Sequence, residues 1–284
     1  VGKIPRYPNP NGAKASVTGL QIGQNIIVAA VGGGNIKTSG GGSQTASAPT
    51  NISVSAVIVT FAGQGAPATA SQVALELDKV NLLYRETSYG KTGITYTIKE
   101  ATYTPNNSYC HDYDIARQVS GTMYIFNDPG CGYAGSAQIS GRTSWINTAQ
   151  GGLYFGAMGH ELGHNISMHH AATGNPDGSN YNEYGETTAL MGMGAWSGVG
   201  ENGPHKFQEG WLASSNIQTI TTGGIFTIAS LENVATTAQV IKFAKNATDS
   251  YYVSLRGPAG QFDQSIPLKV YVHKYTTKAT TGRT

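Results

Sequence analysis

His160-Glu161-Leu162-Gly163-His164-Asn165-Ile166-Ser167-Met168-His169-His170 packs four of the seven histidines of a 284-residue chain into eleven positions. The residues ahead of it (GGLYFGAMG, 151 to 159) continue a strongly apolar face, so Gly151 to Met168 is expected to be a helix. On a helix, positions i and i+4 share one face, one turn apart. His160 and His164 can therefore offer two imidazole nitrogens to one ion. Glu161 is offset by one residue, close enough to reach a water on that ion without serving as a ligand.

This is the His-Glu-x-x-His arrangement, in which a helix holds zinc and the glutamate acts as general base. At this chain's own His and Glu frequencies it arises by chance on the order of once in 200 such chains. The third ligand is less constrained. His170 lies six residues beyond His164, so the chain must leave the helix near Ser167 and fold back, a turn that Gly would make at lower conformational cost. His169 is its rival. Adjacent side chains diverge, so one of the pair reaches the metal, and the spacing favours His170. Glu183 could instead be a ligand on a later helix, but its surroundings (GNPDGSNYNEYG) are turn-rich. An aspartate ligand ahead of Tyr184-Gly185 would fall on Tyr181, which has no carboxylate.

Only 12% of the residues are charged, with a net charge of +2, against about a quarter charged in an average soluble domain. Gly, Thr, Ser, Asn and Ala take the place of the charge. With no Lys/Arg run, a phosphate-backbone binder is excluded and no nucleic-acid partner is expected. The longest apolar runs, Ile26 to Val31 and Ala56 to Ala62, fall far short of the roughly 18 residues of a membrane span. The chain opens at Val1 without Met or an apolar leader and reads as a processed or cloned segment. Cys110 and Cys131 are the only cysteines. One possible pair in a low-charge chain suggests an exported protein with a single disulfide, worth roughly 3 kcal/mol by loop closure, with two unrelated buried thiols as the alternative. Asp177, Asn180, Asn182, Glu183 and Glu186 crowd one loop with oxygens, read either as a Ca2+ site or as a solvated loop with Asx turns. His111 is read as a surface hydrogen-bonded group or a member of a minor metal site.

Along the chain, residues 1–50 form a Gly/Ser-rich segment around one apolar stretch, a β extension or a pro-segment, with a flexible linker (VGGGNIKTSGGGSQTASAPT) at its end. Asn51 to Phe61 is the best early strand. Ser71 is expected to cap a helix with Val73, Leu77, Val80 and Tyr84 on one face. Thr92 to Lys99 and Gly121 to Asn127 alternate as strands. From Thr221, four short β-branched runs (IFTIASL, AQVIKFA, SYYVSLRG, LKVYVHKY) suggest a small C-terminal β unit. Three segments are expected: 1–50, a catalytic 51–215, and a β-rich 216–284.

HELGHNISMHH resembles the metzincin signature His-Glu-x-x-His-x-x-Gly-x-x-His, with Ser167 in the place of Gly. EYGETTALMGMGAW looks like the segment of the Met-turn, and GPHKFQEGWL like the helix after it. AVIVTF, YRETSYGK, CGYAGSAQISGRTSWIN and YYVSLRGP are similar to the gametolysin-like (M11) branch, over about residues 52 to 275. The resemblance implies an α+β, metzincin-like zincin with a twisted mixed sheet and an active-site helix. It implies His160, His164 and His170 as Zn2+ ligands, Glu161 as general base, and Met191 as the Met-turn residue, with Met193 still open. It further implies a secreted, extracellular zinc endopeptidase acting on protein or peptide substrates, extracellular-matrix or cell-wall glycoproteins among them, and working as a monomer. The rival is a carbohydrate- or cell-wall-binding β protein with a non-catalytic zinc site. Tyr184 and His205 are the candidates for steadying the oxyanion.

Overall fold

A computed structural model describes residues 14–22, 25–32, 50–105, 109–175 and 178–276. The expected linker between residues 33 and 49 lies outside them. In chain order the elements are β1 (Lys14–Ile22), β2 (Asn25–Gly32), β3 (Thr50–Phe61), α1 (Ala70–Thr87), β4 (Thr92–Tyr103), α2 (Asp112–Gln118) and β5 (Met123–Phe126). There follow β6 (Gly135–Ala137), β7 (Ser144–Asn147), α3 (Phe155–Asn165), α4 (Gly203–Gln208), β8 (Ile217–Thr219), β9 (Phe226–Ala229), β10 (Val240–Ala244), β11 (Asp249–Arg256) and β12 (Lys269–Thr276). The chain divides into two compact units, Ser47–Gly200 and Val1–Ala46 with Glu201–Thr284.

The unit Ser47–Gly200 is built on a five-stranded mixed sheet in the order β4-β3-β5-β7-β6. β3 pairs in parallel with both β4 and β5, β5 pairs in parallel with β7, and β6 closes the edge antiparallel to β7. Ala56 to Val59 are all fully buried, as parallel strands covered on both faces require. Val57, Val59 and Phe61 join Tyr103, Ile115, Tyr124, Phe126 and Trp145 in one core cluster. That cluster also takes in Cys131, which is bonded to Cys110.

Two helix starts differ from the expected ones, and each has a local cause. α1 is capped by Thr69, not Ser71. The Thr69 hydroxyl accepts from the Gln72 amide at 3.2 Å, and the Gln72 side chain accepts from the Thr69 amide at 2.8 Å. That reciprocal box needs Gln or Glu three residues after the cap, which Thr69 has and Ser71 lacks. α3 begins at Phe155 rather than Gly151. Gly151 ends a short 3-10 turn in the left-handed region (φ 79°), and the Phe155 amide donates to Glu76 of α1 at 2.8 Å. Tyr84 of α1 then donates to the Gly159 carbonyl at 2.9 Å, locking the two helices together.

In the other unit, β1 pairs antiparallel with β2 and with β9. A four-stranded sheet runs β12-β11-β10-β8, and the four sequence runs after Thr221 become β9 to β12. Ile228, Ile241, Val253 and Leu255 form its core. Arg256 is fully buried and meets Glu232 at 2.8 Å and Asp263 at 3.4 Å. Lys206 on α4 is buried as well, and loss of hydration pushes its ammonium down to about 8. No helix among the described residues is long and apolar enough to cross a membrane.

Candidate metal centre

α3 carries His160, Glu161 and His164 on buried positions. After Asn165 the helix ends in a left-handed turn with two closing hydrogen bonds, Ser167 N–H to His164 O at 2.9 Å and Met168 N–H to Gly163 O at 3.0 Å. This is the paired 5→2 and 6→1 pattern that Gly usually completes at the position after the cap. Here Ser167 does so at φ 87°, and its hydroxyl is bonded to that of Ser140 at 2.9 Å. The turn folds the chain back as the spacing required and delivers His170, not His169, to the first two histidines. His160, His164 and His170 each offer a ring nitrogen, and the three atoms lie within 4.8 Å of one another.

The partners of the other ring nitrogens fix the tautomers. His160 Nδ1 lies 2.8 Å from the Leu190 carbonyl, and His164 Nδ1 lies 2.8 Å from the Met168 carbonyl. A carbonyl only accepts, so each Nδ1 carries a proton, and in the neutral ring Nε2 keeps the lone pair. His170 Nδ1 meets the Glu183 carboxylate at 3.0 Å, with the same consequence. The Nε2 atoms of His164 and His170 then face each other at 3.1 Å. A tetrahedral ion with nitrogen ligands at about 2.0–2.1 Å holds them about 3.3 Å apart. The donor set therefore fits zinc, three imidazole nitrogens at a separation that one small cation can bridge.

Glu161 lines the same cleft, which has a volume of about 380 Å³. Its side chain is 6% exposed, and burial pushes its carboxyl from an ordinary 4.5 up to about 8. Gly135 on the edge strand β6 lies directly against it, so that a Cβ there would overlap the carboxylate. Tyr184 packs against His170, ring centroids 4.1 Å apart with the planes tilted by 42°, and lines the cleft. Its hydroxyl is pushed up, first by burial and then by Glu183 and Glu161.

The two methionines differ in burial. Met191 is fully buried and sits against Gly163 under α3. Its carbonyl accepts from Ala171, the residue after the third histidine, at 2.8 Å. Met193 is 46% exposed and lines the cleft. The dipeptide Leu190-Met191 thus holds His160 by one carbonyl and the end of the His170 segment by the next.

Other expected groups lie elsewhere. His205 is buried in the other unit against Glu201 at 3.1 Å and does not line the cleft. His111 is 4% exposed rather than a surface group; its Nδ1 lies 2.8 Å from Asp128, and its ring packs on Phe61 and Tyr103. Asp128 clusters with Cys110 and Cys131, but those sulfurs are joined in a disulfide and hold no metal. In the loop read as a calcium site, Asp177 lies outside the described residues. Glu183 engages His170, Glu186 accepts from Thr188 at 3.0 Å, and Asn182 accepts from the Tyr184 amide at 3.2 Å. No convergent group for a second cation forms there among the described residues. The sequence reading missed the carbonyls of Met168 and Leu190, which no residue type announces. Nor does the sequence mark the contact of Glu183 with His170, because a carboxylate in a turn-rich loop reads equally as a ligand or as a solvated group.

Residues 113–279 match the model of the gametolysin peptidase M11 family, more than half of the chain. No curated protein matches. Among solved structures, the chain is similar to metalloproteinase-II from Bacteroides fragilis at 14% identity and a TM-score of 0.32, over 51% of this chain and 47% of that one. It spans about half the length of that protein. On the family match, the chain belongs to the gametolysin peptidase M11 family.

Proposed function

We infer that the protein is a secreted, zinc-dependent endopeptidase of metzincin type. The observation that carries this is the convergence of three Nε2 lone pairs, each set by a hydrogen bond at Nδ1, in one cleft with a buried carboxylate. A zinc ion held by His160, His164 and His170 would supply a doubly charged Lewis acid that polarises the scissile carbonyl and acidifies water. Glu161 takes a proton from the attacking water as its oxygen adds to the carbonyl carbon. It then gives that proton to the amine nitrogen as the C–N bond breaks. Burial supports this role, because a carboxyl raised toward neutrality both accepts and releases a proton near working pH. A cation bound at the three histidines would pull the other way and favour the ionised carboxylate. β6 forms the edge of the sheet and lines the cleft, so an extended peptide can align along it. Met191 supplies the apolar floor. The Cys110–Cys131 disulfide supports an oxidising, extracellular setting.

The test is Glu161→Gln, assayed on casein beside metal analysis. Zinc content near one per chain with hydrolysis abolished is the expected result. Retained hydrolysis removes Glu161 as the base, and wild-type activity that survives chelation sinks the zinc mechanism.

A further inference from the structure

We propose that Glu183 is a positioning residue that holds His170 in its ligating tautomer and orientation, and that metal retention depends on it. This rests on the zinc reading above and adds to it a residue that touches no metal.

The three histidines are not held alike. His160 and His164 project from a packed helix, are 7% and 6% exposed, and hydrogen-bond to neutral main-chain carbonyls. His170 stands beyond the left-handed turn on irregular chain, with 19% of its side chain exposed. It is the ligand with the least help from secondary structure, and its Nδ1 meets a carboxylate, Glu183 Oε1 at 3.0 Å. A carboxylate at Nδ1–H fixes the ring orientation and disfavours the tautomer with its proton on Nε2. It also brings a negative charge beside a site whose three ligands are neutral.

The carboxylate is itself well placed. Thr173 and Asn182 exchange amide-to-carbonyl hydrogen bonds at 2.9 and 2.8 Å, so the chain returns to the His170 side immediately before Glu183. The next residue, Tyr184, is held by its carbonyl, which accepts from Met193 N–H at 2.8 Å, and lays its ring on His170. Glu183 and Tyr184 thus both contact one imidazole, the first at Nδ1 and the second through a tilted ring contact. The half-exposed Glu183 side chain has no comparable burial to explain its placement.

The test measures zinc affinity by competition with a chromophoric chelator for the wild type, E183Q, E183A and H164A, and the visible spectrum of each after cobalt loading. E183A is expected to weaken zinc binding about 10–100-fold and to shift the cobalt bands. E183Q should fall between E183A and the wild type, because its amide oxygen still accepts from Nδ1 while the charge is gone. The chelated forms of E183A and the wild type should unfold at the same denaturant midpoint. Unchanged zinc affinity in E183A, or a loss of stability already present in its chelated form, overturns the proposal. If E183A does not fold, E183Q decides, and wild-type affinity there overturns it. H164A separates this from the underlying reading. No zinc uptake by the wild type, or uptake unaffected in H164A, defeats the zinc site itself; loss in H164A with E183A unaffected defeats only the role of Glu183.

Discussion

Removing the metal should leave the fold with a pH-dependent liability that can be traced to one carboxyl. Glu161 titrates at 4.5 when solvated and at about 8 in the folded, metal-free protein, because burial disfavours its charge. The folded pKa is the higher one, so between these values the folded state binds more protons than the unfolded state. Stability from this group is therefore complete below pH 4.5 and falls as pH rises toward 8, by about 1.4 kcal/mol per pH unit at full slope. Over the whole interval the loss is on the order of 4–5 kcal/mol, a large share of the 5–15 kcal/mol typical of a domain. Glu161→Gln carries no such titration. The assay is urea denaturation of the chelated wild type and chelated Glu161→Gln from pH 5 to 8.5. The stability difference should open steadily with pH in favour of Gln. Adding zinc should close most of it, since a dication beside the carboxylate favours its charged form. A difference that stays flat across this range would refute the claim that Glu161 is held in a desolvated site.

Two further substitutions test the geometry around the helix. Gly135→Ala places a methyl against the Glu161 carboxylate and should lower kcat on the order of 100-fold, the scale of an ångström-sized misplacement, while circular dichroism and zinc content hold; undiminished kcat would show that the carboxylate has room to move. Ser167 occupies φ 87°, so Ser167→Gly should be more stable than Ser167→Ala by about 1 kcal/mol in chemical denaturation, both having lost the Ser140 contact. Equal stability would mean that the turn carries no backbone strain.

The sequence disclosed the parts of the site that depend on spacing along one element. The i, i+4 pair on α3 and the turn at Ser167 follow from helical periodicity and from the reach needed by His170. The strands β3, β4 and β5 were readable for a similar reason, since alternation or a β-branched run marks a strand whatever lies beside it. The Thr69 cap has its signature in the Gln three residues on, although Ser71 is the hydroxyl nearer the apolar run. Other features had no local mark. α2 is only seven residues long, and the β6–β7 hairpin is short and lies in Gly- and Ser-rich chain, so both depend on packing with the rest of the unit. The start of α3 is set by Glu76, 79 residues earlier in the chain. The anchors of His160 and His164 are main-chain carbonyls, which every residue possesses. Glu183 looked like a loop carboxylate because the loop that returns it to His170 is closed by backbone pairing between Thr173 and Asn182.

The attachment of two ligands to consecutive residues bears on how the site responds to displacement. Leu190 O carries His160, and Met191 O carries the backbone just after His170. A displacement of this dipeptide therefore moves both attachments in the same direction. His164 hangs from the Met168 carbonyl instead, so a substitution that shifts Leu190-Met191 acts on His160 and the His170 segment together and leaves the third anchor in place.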